Sequence, residues 1–562
     1  HNLRNSYENC VTLSGQVFAS DNDDQPACRT FAVLEGANYG FASRDGSRSW
    51  QSDRRPGQDI RTASWRQEDP GVAPAGDVYG GGAPTGIVYY EDGALGERWK
   101  GTLLLCEPAR NTVFGYHPER DGEGWKLERF DFLTTNEEGM VIGTDYTGGD
   151  GTARVEDTKT LFRPSDIAVG PDGAVYIADW YDARVGGHND LDETLSGTIY
   201  RVAPKGFKST VPDFDLDTPE GIAAASASPA VHVRALALEG AKAPVVNKKP
   251  TLTELIARGS GLKPGDRTAL ESWGMAAEGQ EEAIYESLLS RLASSDPLQW
   301  SDSFARIAWR LHPPSSVLAF TQRALADGLS EIARKDALTA IGYNENREAA
   351  DAMLKIAGNT SGAIQSTALW WLLNRKDNAW EAHDLGRRLK EQGLYDPETL
   401  QLISIPLPDP VPGTFTLEEV MKLTGDAERG KTQSMRCILC HRIGGLGVDY
   451  GPDMTTWGRT QPTETILRSI IDPDADIAHG FNGTRVETNE GKIIDGIVIN
   501  NADPLLIQSS GGVTQAVPKS RIKEKRSLKN SVMMTPAQMG LTAQDVADIA
   551  AFLKTSGPNF AP

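Results

Sequence analysis

Cysteine is scarce. There are five in 562 residues: Cys10, Cys28, Cys106, Cys437 and Cys440. That excludes a scaffold stapled by disulfides. No run of about 18 apolar residues occurs, which excludes a membrane-spanning helix. Positive charge is outnumbered, with Lys+Arg 57 against Asp+Glu 77 and a net charge of −20. Such a surface repels phosphate backbones, so nucleic acid is not an expected partner. Apolar residues make up 39% and charged residues 24%, an ordinary globular balance that excludes a mainly disordered chain. The chain opens at His1 without an initiator Met or a signal-peptide pattern. The expectation is that a leader was removed or that amino-terminal sequence is missing. Cys10 and Cys28 bracket a short polar segment and read either as a bridge or as two buried thiols. At roughly 150 residues per domain, three or four domains are expected.

What is present falls into three textures. Residues 1–206 carry short alternating runs punctuated by Gly, Asp, Asn and Pro, such as GTLLLC at 101–106 and AVYIA at 174–178 after the turn GPDG at 170–173. This strand–turn–strand rhythm predicts repeated antiparallel strands, in a sandwich or a β-propeller of about four visible blades of roughly 40–50 residues. Residues 216–405 turn to Ala and Leu at i, i+3 and i+4, as in IARKDALTAI at 332–341. That spacing predicts amphipathic helices, either paired HEAT-like repeats or an irregular helical domain. Residues 406–413 (PLPDPVPG) form a proline-rich linker where no helix can continue. Residues 414–562 open and close on helices, with Thr542 as the expected cap of the last one. Between them, residues 482–528 alternate like strands, a β insertion in an α domain.

The sharpest motif is Cys437-Ile-Leu-Cys440-His441, the C-x-x-C-H attachment signature of c-type haem. Two thiols at this spacing add to the two vinyl groups of one porphyrin, and the adjacent imidazole then lies under the iron as axial ligand. The competing reading is zinc, which needs further Cys or His ligands. In this region the only other histidine is His479. Pro452 follows eleven residues after His441, in a Gly-Pro that resembles the one of cytochrome c folds, where the proline carbonyl accepts from the proximal imidazole. For the sixth ligand the candidates are Met454, His479, Met533, Met534 and Met539. Class I cytochromes, which the motif resembles, take their distal Met from the loop before the last helix, and Met533 and Met534 both lie there. Because covalent haem attachment takes place outside the cytoplasm, the motif implies a periplasmic or extracytoplasmic location.

The chain resembles the haem-bearing "membrane-bound dehydrogenase" proteins of planctomycete and verrucomicrobial type, which join a propeller, helical repeats and a carboxyl-terminal PVC-type haem-binding domain. The residues carrying the resemblance are LRNSYE at 3–8, DNDD at 21–24, FRPSDIAVGPDG at 162–173, ADWYD at 178–182 with GGH at 186–188, and the haem region. In that region SVM at 531–533 falls where the family has Ser-Leu-Met-Pro, and Met534 replaces the proline. The resemblance implies Met533 as the distal ligand, with Met534 as the alternative. More distantly, the first region is similar to soluble quinoprotein sugar dehydrogenases, six-bladed propellers that use pyrroloquinoline quinone and calcium. The resemblance implies quinone and calcium roles for Arg4, Asn5, Asn38, Tyr39 and Arg163, with the turn APTG at 83–86 nearby. Arg4 reads equally as a strand-end ion pair. Asp21, Asn22, Asp23 and Asp24 read as a calcium loop or as a solvated turn. The general-base histidine of those enzymes precedes the region seen here, and about four blades are visible where six are expected.

Two functions follow. In one, the first region oxidises a sugar or alcohol, a single haem c takes the electrons singly, and a redox partner protein receives them. In the other, the chain is a non-enzymatic electron-transfer or binding protein whose propeller and helical repeats hold a glycan or a protein.

Overall fold

The computed structural model describes the chain apart from residues 24–26, 47, 92, 136–161, 181–196, 210–213, 229, 238–249, 410, 412, 445, 456, 462, 476, 478–480, 502 and 557–562. Asp24, Asp182, Gly186, His188 and His479 therefore lie outside the described residues.

The chain is multidomain and begins with three antiparallel sheets. The first contains β1 (Asn9–Val11), β2 (Val17–Asp21), β3 (Cys28–Val33) and β4 (Asp77–Gly80), in that order. The second contains β5 (Ile87–Tyr90), β6 (Thr102–Glu107), β7 (Thr112–Tyr116) and, past the small hairpin of β8 (Glu119–Asp121) and β9 (Gly124–Lys126), β10 (Arg129–Thr134). The third contains β11 (Pro164–Val169), β12 (Val175–Asp179) and β13 (Thr198–Val202). The period of two explains why they stack. In β6, Leu103 and Leu105 join Phe18, Cys28 and Tyr79 of the first sheet in one core. Leu104 and Cys106 turn the other way, onto Phe162, Ile167, Val175 and Ile177 beside the third sheet. All six residues of β6 are buried, and each such leucine contributes on the order of 1.5–3 kcal/mol. Among the described residues no sheet closes on itself.

The sheet also decides the fate of Cys10 and Cys28. Cys10 pairs with Phe18, Phe18 with Ala32, and Cys28 stands four residues back along β3. Two strand spacings and four residues of rise hold them too far apart to bridge, so both stay thiols.

Residues 34–76 leave the first sheet between β3 and β4. They form a 3₁₀ turn at Trp50–Asp53 and a short helix at Ile60–Ser64 capped by Asp59. This excursion touches both the helical region and the last region. Tyr343 and Arg55 both hold Asp69, Asn374 donates to Asp53 at 3.0 Å, and Arg54 reaches Asp449 at 3.0 Å.

The helical region contains Leu252–Ser260, Arg267–Ala276, Glu281–Leu292, Asp302–Leu311, Val317–Leu325, Glu331–Gly342, Arg347–Asn359 and Gly362–Arg375. Several are capped by the Ser, Thr, Asp or Asn that starts them, such as Ser301, Ser330 and Asn346. Val317–Leu325 packs on Glu331–Gly342 and Arg347–Asn359 on Gly362–Arg375, while alternate helices also touch, giving a layered stack. One continuous apolar core runs through it, rich in Ala and anchored by Trp273, Trp309, Trp371 and Trp380.

The last region pairs the helices Ala427–Gln433 and Ala543–Leu553, the latter opened by a Thr542/Asp545 capping box. Around Cys437 lie the two-residue strands β14 (Arg442–Ile443) and β15 (Leu446–Gly447). The β insertion is one antiparallel sheet of β16 (Thr484–Thr488), β17 (Ile493–Asn500), β18 (Leu505–Ser509), β19 (Val513–Val517) and β20 (Ile522–Ser527), in the order β19-β18-β17-β16-β20. The chain entering the proline-rich stretch is docked on this sheet. Ile405 N donates to Ile493 O at 2.8 Å, Asp495 N to Ile405 O at 3.0 Å, and Leu407 N to the Asp495 carboxylate at 2.8 Å. Among the described residues no helix is long and apolar enough to cross a membrane.

Candidate functional site

The C-x-x-C-H segment winds as one turn after the helix Ala427–Gln433. The Cys437 carbonyl accepts from Cys440 N at 3.0 Å and from His441 N at 2.8 Å. The chain then makes a small loop and returns, with Tyr450 and Gly451 both donating to the Cys440 carbonyl. This return brings Pro452 under the histidine, and His441 Nδ1 lies 2.7 Å from Pro452 O. A carbonyl only accepts, so Nδ1 carries the proton and Nε2 presents a lone pair. Among the described residues Nε2 has no hydrogen-bond partner. Burial lowers the His441 pKa, outweighing the Pro452 bond that raises it. Gly451 is obligatory here, because a Cβ on it would sit 2.5 Å from His441 Cε1.

The two thiols face different apolar surroundings. Cys437 packs with Ile438, Met454, Trp457, Met533 and Met539 on the helical core of Ile443, Ile466, Val546 and Phe552. Cys440 packs with Val448, Phe481 and Leu528 on Tyr450, Ile497 and Val532, at the edge of the β insertion. Burial pushes the Cys437 thiol up to about 11. Met533 shares the Cys437 cluster, whereas Met534, among the described residues, is not packed on that core. Cys437, Cys440 and His441 do not converge: among the described residues no three His, Cys, Asp or Glu side chains gather closely enough to hold a metal ion.

The amino-terminal candidates form two groups. Asp21 Oδ1 accepts from Asn5 N at 2.7 Å, and its Oδ2 accepts from Arg4 N and from Arg29 at 2.9 Å. Arg4 donates to Asn22 O at 2.6 Å and lies 3.8 Å from Asp23, as an ion pair. Asn38 Oδ1 takes hydrogen bonds from Asn2 and Gly40 N, while Tyr39 spans Leu34 and Ala32 through its hydroxyl. Arg163 is 1% exposed and donates to Pro108 O and Asn111, with its own amide on Asp179. The structure thus brings Arg4, Asn5, Asp21, Asn22 and Asp23 together. In the acidic loop Asp21 and Asp23 are 0% and 1% exposed.

Two residues that sequence reasoning missed organise this area. Arg29 is fully buried with its guanidinium 3.4 Å from the Trp65 ring centroid, between Phe31 and Tyr39. Burial lowers its pKa to about 10, against the opposing pull of Asp21. Glu107 is buried too. It accepts from Tyr79, Ala83 N and Ala109 N, and burial raises its carboxyl. A charge inside an otherwise apolar strand was the one available signal in each case.

Residues 2–206 match a family described as Domain of unknown function (DUF7133). No curated protein matches the sequence. Among solved structures, 36% of this chain aligns with 45% of a glucose dehydrogenase at 18% identity and a TM-score of 0.22. The soluble aldose sugar dehydrogenase of Escherichia coli in the apo-form aligns over 42% of its length with 31% of this chain, at 16% identity and a TM-score of 0.21. A Thermus thermophilus protein described as a glucose dehydrogenase-type oxidoreductase aligns over 44% of its length with 36% of this chain, at 16% identity and a TM-score of 0.22. The chain spans less than half the length of each of these proteins, and the likeness is weak and confined to about a third of it.

Proposed function

We propose that this chain is a haem-bearing electron-transfer protein. Cys437 and Cys440 hold one haem c, His441 is its proximal ligand and Met533 its distal one. The observation that carries this reading is the His441 imidazole, with Nδ1 given to Pro452 O at 2.7 Å and Nε2 left for a metal. A carbonyl behind a ligating histidine fixes both tautomer and orientation. Two further features support it. The thiols sit on two apolar clusters, one helical and one at the β insertion, as the edges of one flat apolar group require. Zinc fits the donor set poorly, since it needs four convergent ligands.

When bound, such a group supplies one-electron transfer at a potential raised by a His/Met ligand pair. The chain's own part is to orient and to exclude water. Pro452 and Gly451 fix the imidazole, and the apolar clusters around Cys437 and around Cys440, the latter with Val532, Ile497 and Tyr450, would keep water from the group. On this reading residues 414–562 are the haem domain with the insertion 482–528, residues 406–413 its linker, residues 216–405 HEAT-like repeats, and residues 1–206 a partial propeller. The electrons come from oxidation of a sugar or alcohol by the amino-terminal region and leave to a redox partner protein in the periplasm or another extracytoplasmic space. The quinone and calcium implied by the resemblance fit less well. Arg163 is buried and engaged with Pro108 and Asn111, and Asp21 is ion-paired with Arg29.

The test is the full chain matured in a host that attaches c-type haem. Expected are a mass gain of one haem, and in Met533→Ala a lowered potential with an iron open to carbon monoxide. An unchanged Met533→Ala spectrum would move the ligand to Met534, and a colourless chain of bare polypeptide mass ends the reading. If a panel of aldoses and alcohols, with quinone and calcium added, never reduces a haem that dithionite does reduce, the dehydrogenase part fails and the plain electron-transfer reading stands.

A further inference from the structure

The excursion at residues 34–76 reaches the loop that carries the candidate proximal histidine. Asp449 sits two residues before Gly451 and three before Pro452. Its Oδ2 takes both the Arg442 guanidinium, next to His441, at 2.9 Å and the Arg54 guanidinium, 395 residues away in sequence, at 3.0 Å. Arg54 and Asp449 are 17% and 20% exposed, so the pair is sheltered and worth more than a surface contact. Arg54 is itself aimed by its Nε, which donates to Gln58 O at 2.6 Å. The 3₁₀ turn just before it, Trp50–Asp53, lies against β17 of the insertion. That turn is anchored on its other side by Arg48 on Asp53 at 2.8 Å and by Asn374. Arg4, among the residues singled out at the amino terminus, lies over the Trp50 ring at 5.5 Å. One unbroken set of contacts therefore runs from Arg4 through Trp50 and Arg54 to the Cys440–Pro452 loop.

We propose that residues 48–58 are a built-in docking contact by which the amino-terminal region positions the His441 loop, with Arg54 and Asp449 as its positioning residues. The redox consequence rests on the haem reading above; the docking itself does not. Asp449 holds the loop's return strand, and through it Gly451 and Pro452, against a region that would otherwise be free to move. With haem in place, the two side chains also set the local field with opposite signs. Loss of the Asp449 charge favours the reduced iron, and loss of the Arg54 charge favours the oxidised one.

The experiment has two arms on the full chain. In the first, amide hydrogen exchange is followed without haem in wild type, Arg54→Gln and Arg54→Lys. Expected is faster exchange at Tyr450 and Gly451, whose amides close the loop on Cys440, in Arg54→Gln, with at least partial recovery in Arg54→Lys. Exchange at those amides unchanged by Arg54→Gln overturns the docking. In the second, the haem-bearing Asp449→Asn and Arg54→Gln chains are titrated for midpoint potential. Shifts of opposite sign, upward for Asp449→Asn and downward for Arg54→Gln, are expected. Shifts of the same sign, the mark of a pocket merely opened to water, or no shift, overturn the redox role. A chain that takes up no haem sinks the haem reading and leaves the exchange arm to decide the docking.

Discussion

His312 shows what one side chain can do to the pH response. It closes the helix Asp302–Leu311 in the left-handed region at φ 35°, and its Nδ1–H faces the Trp309 and Arg310 carbonyls at 3.2 and 3.0 Å. Burial first, and Arg310 second, lower its pKa to about 4, against about 6.5 in an unfolded chain. The native state therefore refuses a proton that the unfolded chain accepts. The stabilisation is complete above pH about 6.5 and is lost as pH falls toward about 4, roughly 2 kcal/mol after allowing for partial exposure. His312→Asn keeps a residue that tolerates positive φ. Its denaturation midpoint should vary less between pH 6.5 and 4 than that of wild type, and an equal slope would assign the effect to another group. At the residue scale, too, the acidic loop reads in the sequence as a calcium loop or a solvated turn, because Arg29 stands eight residues on, in the next strand. Only the β2–β3 pairing sets it beside Asp21 as a buried ion pair.

At the scale of elements, the helices Ala427–Gln433 and Ala543–Leu553 cross so closely that a Cβ on Gly430 would lie 1.9 Å from Asp548 O. Asp548 is 1% exposed and locks the crossing by accepting from Arg429, Gln544 and Asp426 N. Burial alone would raise its carboxyl, but those donors hold it below the usual range. Gly430→Ala should push the helices apart and cost about 3 kcal/mol. Gly358, inside the helix Arg347–Asn359 with nothing near its missing Cβ, should behave oppositely, with Gly358→Ala gaining about 0.5–1 kcal/mol. Urea denaturation of the two variants separates crowding from helix propensity, and equal effects would refute the crossing argument. Most elements were legible beforehand because their periodicity is local. Thr542 as a cap and the strands of the insertion needed no tertiary knowledge. The 3₁₀ turn at Trp50–Asp53 was not legible, since a charged, aromatic-spaced loop has the same composition whether it is solvated or docked.

For the whole molecule the decisive residues are again in the excursion. Arg55 and Asp69 are 8% and 5% exposed as a pair, Tyr343 of the helical stack donates to Asp69, and the Arg55 guanidinium lies 4.9 Å from the Trp371 ring. Removing one partner of such a pair strands a buried charge. Arg55→Ala should cost about 3–5 kcal/mol and loosen the sheets from the helices. Calorimetry should then show one transition resolving into two, and a single transition at the wild-type temperature would mean these regions are not coupled through Arg55.

The sequence by itself determined whatever depends on neighbours along the chain. It set strands by period two, helices by period 3.6, caps by side-chain chemistry, and the C-x-x-C-H turn, whose spacing is a covalent requirement. The tertiary structure alone decided which distant groups meet. It separated Cys10 from Cys28, buried Arg163 against Pro108 and Asn111, placed Met533 rather than Met534 on the Cys437 core, and joined Arg54 to Asp449. Burial and charge pairing act through space, and a linear pattern carries no record of the partner a chain folds back to find.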